Sequence, residues 1–210
     1  MPQTVKVPLP PDYFNCPPLS SQDIQQYLAL GEQSVKSLLY KVNVTTGGGG
    51  RRRPYAWKLL EYAWRVGRTT FVDVVNLYTV LPRHPDRPND CIQIKWVLTK
   101  SPLDGLVARR DFVVVESELE FQVDGKRSWV RSFHSIELDA APDMRKELGC
   151  IRGYMHDMGF VIMESDRPGY LDMTYLVDMD VRGSVPSWVR SMTESLYTGC
   201  KPATVFVGMS

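Results

Sequence analysis

Residues 110–138 decide the fold of this chain, and they read RDFVVVESELEFQVDGKRSWVRSFHSIEL. Along 111–123, apolar side chains at positions 113, 115, 119 and 121 alternate with glutamates at 116, 118 and 120. Such an alternation is typical of a half-buried β-strand. Asp124-Gly125 predicts a tight hairpin turn, after which residues 127–138 return as the antiparallel neighbour.

Further strands are predicted on both sides of this hairpin. Upstream, residues 92–98 alternate between apolar and polar side chains, and two β-branched stretches occupy 69–75 and 77–81. Residues 60–66 fit a helix as well as a strand. Downstream, turns separate predicted strands at 150–156, 160–165 and 170–180. Strands that follow one another as hairpins, rather than in βαβ units, favour one continuous antiparallel sheet.

A helix is predicted at each end of this sheet. Ser20 to Asp23 resembles a helix N-cap with an acidic first turn, and apolar residues then recur at helical spacing as far as Val42. A second helix begins near Ser187–Trp188, and the break at Gly199 to Pro202 keeps it short. We therefore divide the chain as follows: a proline-rich extended N-terminus (1–19), one domain (20–198) with a glycine- and arginine-rich loop (47–54), and a C-terminal tail (199–210).

The charge and cysteine patterns exclude several classes of protein. The net charge is +1, which does not indicate nucleic-acid binding. Arg51–Arg53 follow four glycines and are predicted to form a solvated loop, with contact to anionic lipid headgroups as the alternative. The four cysteines, at positions 16, 91, 150 and 200, have no CxxC spacing, which excludes a zinc finger and fits a reducing compartment.

The sequence indicates a cytoplasmic protein. The first residues, MPQTVKVPLPPDYF, lack the apolar core of a secretory signal, and no run approaches 18 consecutive apolar residues. Peripheral contact with membranes stays open as an alternative.

Five segments in this order resemble the START (StAR-related lipid-transfer) domain family: Ile94-Lys95-Trp96, Arg110-Asp111-Phe112-Val113, 129–135, 150–154 and 180–188. The resemblance implies an α+β helix-grip fold of the Bet v 1-like superfamily. In that fold a curved antiparallel sheet, an N-terminal helix and a C-terminal helix enclose an apolar cavity. It also implies non-enzymatic binding of one lipid or sterol-like ligand, intermembrane transfer, transient contact with a membrane surface, and a monomer.

Two departures from the family pattern favour an alternative function. About fifty residues lie between Trp57 and Arg110, where the family places further strands and helices, and only 22 residues follow Trp188. Both segments belong to the parts that close the cavity in the family. A START-like interaction protein with a degenerate cavity is therefore the first alternative.

The candidate ligand-binding residues combine apolar lining, which gains about 0.8 kcal/mol per buried methylene of a lipid tail, with a few polar groups for a headgroup. They are Trp96, Phe112, Val114, Glu116, Arg131, His134, Arg152, Tyr154, Val161, Met163, Met173, Tyr175 and Val177, with Trp188 and Met192 in the lid. Core packing explains the apolar members equally well. For the glutamates at 116, 118 and 120 the simpler interpretation is a solvated face, and for Arg110 it is a strand anchor.

An arginine and a glutamate that face each other inside the fold would mark a ligand site, because buried charge is costly unless it is paired. The sequence contains no nucleophile elbow, phosphate-binding loop, HExxH or dinucleotide motif. We therefore predict a protein that is not an enzyme and needs no metal or cofactor. The remaining alternative is a helix-grip cyclase or hydrolase that uses Glu116 with His134, which requires both side chains on one face of the sheet.

Overall fold

In a computed structural model of the chain, the described residues are 5–46, 71–101, 107–123, 125–166, 170–183 and 199–206, with backbone alone at 43–46, 123 and 199–206. Within these ranges, two helices, α1 (Ser21–Thr46) and α2 (Arg145–Leu148), accompany the strands. The strands are β1 (Phe71–Leu81), β2 (Cys91–Thr99), β3 (Arg110–Val123), β4 (Lys126–Ser135), β5 (Ile151–Arg152), β6 (Tyr154–Met155), β7 (Met158–Glu164), β8 (Tyr170–Val177), β9 (Met179–Asp180) and β10 (Gly199–Phe206).

One large, curved sheet organises the described part of the chain. Its strand order is β1-β2-β3-β4-β7-β8-β10, and all of these neighbours are antiparallel. The short strand β5 pairs in parallel with the start of β3, and β6 pairs with β9 in a separate ribbon. The predicted α+β architecture, with an N-terminal helix and one continuous antiparallel sheet, is confirmed.

Several predicted element boundaries differ from the structure. The stretches at 69–75 and 77–81 form a single strand, β1. Residues 150–156 form two short strands instead of one, because the chain leaves β3 for the ribbon at Gly153. A Cβ atom at Gly153 would lie 2.6 Å from the Phe112 ring, so glycine permits this close crossing. Residues 170–180 are likewise divided into β8 and β9.

The predicted C-terminal tail differs from the structure, and several other predicted segments lie outside the described residues. Residues 199–206, predicted as part of a C-terminal tail, form β10 and pair along the whole of β8. The predicted closing helix from Ser187, the glycine- and arginine-rich loop (47–54) and the ambiguous residues 60–66 lie outside the described residues. Among the helices that the structure describes, none combines the length and the hydropathy needed to cross a bilayer.

Helix α1 begins at the predicted cap. The Ser20 hydroxyl accepts a hydrogen bond from the Asp23 N–H at 3.1 Å, and the Asp23 carboxylate accepts one from the Ser20 N–H at 3.0 Å. This reciprocal pair satisfies backbone donors that the first helical turn leaves free.

One face of the sheet packs against α1, and we call it the helix face. Gly31 brings the helix close to it, since a Cβ atom there would lie 2.5 Å from Ser117 Oγ. The hydroxyl groups of Ser34 on α1 and Ser132 on β4 are 3.1 Å apart. Further along this face, the N-terminal segment packs on β2, where the ring centroids of Phe14 and Trp96 are 5.4 Å apart.

Strand register assigns the remaining side chains to this face or to the opposite one, which we call the far face. Ser117 lies opposite Ser132, so the adjacent pair, Glu116 and Phe133, points away from α1. The same alternation extends through β2, β7 and β8.

Candidate functional site

The structure divides the candidate ligand-binding residues between the two faces of the sheet. Trp96, His134, Val161 and Met163 lie on the helix face, whereas Phe112, Val114, Glu116, Arg131, Met173, Tyr175 and Val177 lie on the far face. Arg152 is tied to the helix face, Tyr154 lies in the β6–β9 ribbon, and Trp188 and Met192 lie outside the described residues. One cavity in contact with a single face therefore cannot be lined by the whole set.

A buried carboxylate forms the centre of the far face. Glu116 is 4% exposed. Its Oε1 accepts a hydrogen bond from Arg131 Nε at 2.8 Å, Arg131 Nη2 lies 2.6 Å from the same oxygen, and Lys95 Nζ lies 2.8 Å from Oε2. A carboxylate at this depth needs such partners, because burial without them costs several kcal/mol. These three residues are called the far-face charge network below.

The solvated-face interpretation is wrong at Glu116 and holds better toward the end of β3. Side-chain exposure rises from 5% at Glu116 to 14% at Glu118 and 34% at Glu120. Glu118 pairs with Arg83, and Glu120 pairs with Arg127 at 2.8 Å. The charged part of the far face thus extends from a buried centre toward solvent.

Aromatic and aliphatic side chains adjoin the network. The Arg131 guanidinium lies 5.3 Å from the centroid of the Phe133 ring, a cation–π contact. Phe160 on β7 and Tyr175 on β8 stack with centroids 4.3 Å apart. Val114 precedes Glu116 on the same face and is fully buried. This face therefore combines a polar centre with adjacent aliphatic and aromatic side chains, the arrangement that an amphiphilic molecule requires.

Three residues in or beside the far-face charge network were absent from the candidate residues. Lys95, Phe133 and Phe160 each lie opposite a predicted member in the strand register. The signal was present in the sequence for Lys95, which occupies a polar position of the alternating strand 92–98. Alternation reveals which residues share a face, but it does not reveal that the polar face of one strand is buried.

The histidine proposed for acid–base chemistry lies on the helix face. His134 Nδ1 lies 2.8 Å from Asp157 Oδ1, and Glu116 points to the other side of the sheet. The hypothesis that Glu116 and His134 act together in acid–base catalysis is therefore wrong, because the two side chains lie on opposite faces of the sheet. Burial alone would raise the pKa of Asp157, but hydrogen bonds from His134, Ser37 and Ser34 outweigh it and hold that pKa below 3.8. The hydrogen bonds of Asp157 with Ser34 and Ser37 join α1 to the turn before β7.

Arg152 and Trp96 converge on a buried aspartate. Asp111 Oδ2 accepts hydrogen bonds from Trp96 Nε1 at 2.9 Å and from Arg152 Nε at 3.0 Å. The neighbouring thiol of Cys150 is buried, and burial together with the Asp111 charge raises its pKa to about 12. Trp96 and Arg152 thus hold β2, β3 and β5 together through Asp111.

Arg110 anchors a chain crossing, as the strand-anchor interpretation expects, although its partner is not Asp111. It donates hydrogen bonds at 2.9 Å to the carbonyl oxygens of Val181 and Arg182, which follow β9. Within the described ranges, no group of three or more histidine, cysteine, aspartate or glutamate side chains could hold a metal ion.

Comparisons with known proteins give one family match and several matches among solved structures. The model of the START domain family matches residues 87–204, more than half of the chain. Ten chains of solved structures match as well. One of them is human STARD10, with a TM-score of 0.43 and 18% sequence identity over 67% of this chain and 51% of that chain. The chain therefore covers about half of the STARD10 chain. No curated protein matches.

Proposed function

Because this chain belongs to the START domain family, whose members in general bind lipids or sterols, we propose that it binds one lipid or sterol-like molecule against the far face. The proposal extends to transfer of that ligand between membranes, without enzymatic turnover. The protein acts as a cytoplasmic monomer that touches a membrane surface only while ligand is exchanged.

The far-face charge network is the observation that carries this proposal. Glu116 is buried in the middle of the sheet with Lys95 and Arg131 around it. A buried ion pair contributes little to net stability compared with apolar residues of the same volume. A network that could be replaced by a plain core therefore supports a binding role, in which it offers charged hydrogen-bonding groups to a ligand.

The surroundings of the network support an amphiphilic ligand. Arg131 is 36% exposed at its side chain, so one cation of the network remains accessible to a polar headgroup. The stacked rings of Phe160 and Tyr175 and the side chain of Met173 continue the face away from the charges. Apolar contact of this kind gains about 25 cal/mol per Å² of lipid surface removed from water.

Native mass spectrometry tests the proposal directly. The purified protein is incubated with liposomes of phosphatidylcholine, phosphatidylethanolamine and cholesterol, and its mass is measured before and after separation. We expect one lipid per chain. The triple variant Lys95→Met/Glu116→Leu/Arg131→Met should lose at least about 90% of this uptake, if the polar contacts provide 1.4 kcal/mol or more.

A matched control distinguishes the network from charge in general. The double variant Glu120→Gln/Arg127→Gln removes an exposed pair from β3 and β4 and should take up lipid as the parent protein does. Uptake by neither the parent nor the control would reject lipid binding and favour the alternative, an interaction protein with a degenerate cavity.

A further inference from the structure

A cleft separate from the far face lies between the N-terminal segment and the loop that leads to α2. Its volume is about 380 Å³, and its lining includes Tyr13, Phe14, Asp139, Met144 and Glu147. Phe14 and Met144 are buried and form apolar walls. The rings of Tyr13 and Phe14 meet edge to face, with centroids 5.2 Å apart. The cleft is large enough for a side chain together with part of its backbone.

The charges that line this cleft are all negative. Asp139 and Glu147 supply them, and no arginine or lysine contributes to the lining. In the part of the chain that the structure describes, neither carboxylate makes an ion pair. Glu147 Oε2 is also buried without a hydrogen-bond partner there. A buried carboxylate oxygen without a donor is costly, and a cation beside the carboxylate would offset part of that cost.

The negative field extends beyond the cleft. Burial, together with the charges of Asp23 and Asp139, raises the pKa of Tyr27 on the first turns of α1. A carboxylate of α1 and one of the loop that leads to α2 therefore act on the same ring. Carboxylates beside the face of an aromatic ring are the surroundings in which proteins hold ammonium and guanidinium groups.

We propose that this cleft binds the side chain of an arginine or lysine in an extended segment of a partner protein. The guanidinium or ammonium group lies between Asp139 and Glu147, and its aliphatic stem packs on the rings of Tyr13 and Phe14. Arginine fits this site better than lysine, because its planar group has donors for both carboxylates and stacks on aromatic rings. The site is on the α1 side of the molecule, so the proposal is independent of lipid binding.

Nuclear magnetic resonance titration tests this assignment on the full chain. The probes are the tripeptide amide acetyl-Gly-Arg-Gly and its citrulline analogue, which has the same shape without the charge. We expect saturable shifts at Tyr13 and Phe14 with the arginine peptide, and at least about fivefold weaker binding of the citrulline peptide.

Isosteric variants locate the site. Asp139→Asn/Glu147→Gln should weaken binding of the arginine peptide at least about fivefold. Asp86→Asn, which removes an exposed charge from the β1–β2 loop, should leave it unchanged. Binding that is equal for the arginine and citrulline peptides, or unaffected by the double variant, would overturn the proposal. So would saturation of the cleft by tetramethylammonium in the absence of any shift with the arginine peptide, because that result assigns the cleft to a small quaternary amine.

Discussion

Replacing Glu116 by alanine should destabilise the protein far more than the same change at Glu120, which lies four residues further along β3 on the same face. The side chain of Glu116 is 5% exposed, and its loss leaves Lys95 and Arg131 without their shared partner, although Arg131 keeps Glu118 at 3.4 Å. Removal of one member of a buried ion pair costs about 3–5 kcal/mol. Since Lys95 and Arg131 keep 16% and 36% of their side-chain exposure, partial hydration favours the lower end, about 3 kcal/mol.

Urea denaturation, followed by circular dichroism, measures this cost. With a denaturant slope of about 2 kcal/mol per molar, Glu116→Ala should lower the midpoint by about 1.5 M. Glu120 is 34% exposed at its side chain, and Glu120→Ala should cost about 1 kcal/mol or less. Equal midpoints for the two variants would mean that Glu116 is solvated and that its ion pairs are not buried.

The triple variant Lys95→Met/Glu116→Leu/Arg131→Met distinguishes stability from function at the same site. Apolar residues of similar volume replace buried ion pairs at little cost, so the free energy of unfolding of the triple variant should lie within about 1 kcal/mol of that of the parent protein. Lipid uptake should nevertheless fall. Unchanged uptake at unchanged stability would remove the charge network from the ligand site.

Three further predictions concern the helix face and the buried thiol. Gly31→Ala should cost about 1–3 kcal/mol in urea denaturation, because the new methyl group meets Ser117, whereas exposed Gln33→Ala should be nearly neutral. The pKa of Asp157 is lower in the folded protein than its ordinary 3.8. The Asp157 carboxylate therefore contributes its full stabilisation above pH 3.8, and this stabilisation is lost as the pH falls through the folded-state pKa. Asp157→Asn should flatten the decline in stability below about pH 4. With a pKa of about 12, Cys150 should resist iodoacetamide at pH 8 until urea unfolds the protein, as mass spectrometry of the alkylated peptides would show; alkylation of Cys150 in the native state would contradict this.

The strands of the sheet were largely predictable from the sequence because their determinants are local. The alternation in 111–123 and the turn at Asp124-Gly125 place β3 and β4 correctly, to within three residues at each end. The same hairpin also fixes which residues face each other. Val123 pairs with Lys126, and eight residues further from the turn along each strand the same register places His134 opposite Val115 rather than Glu116. The rejection of the Glu116–His134 pair was therefore already implicit in the sequence.

Burial of the charge network was not predictable in this way. Whether a polar strand face meets solvent depends on the curvature of the whole sheet and on the segments that cover it, and neither is a local property. The Asp111 site has a similar origin, since Arg152 reaches it only through the parallel pairing of β5 with β3. Residues far apart in the chain make that contact, so no spacing in the sequence indicates it.

Photocrosslinking with a lipid that carries a diazirine in its acyl chain tests directly whether the ligand lies against the far face. The protein is loaded with the probe, irradiated and digested, and the modified residues are identified by mass spectrometry. We expect adducts on far-face residues such as Phe133, Phe160 and Tyr175, and none on Trp96 or Val161 of the helix face. Adducts confined to the helix face, or saturable loading with no adduct on the far face, would contradict this placement of the ligand.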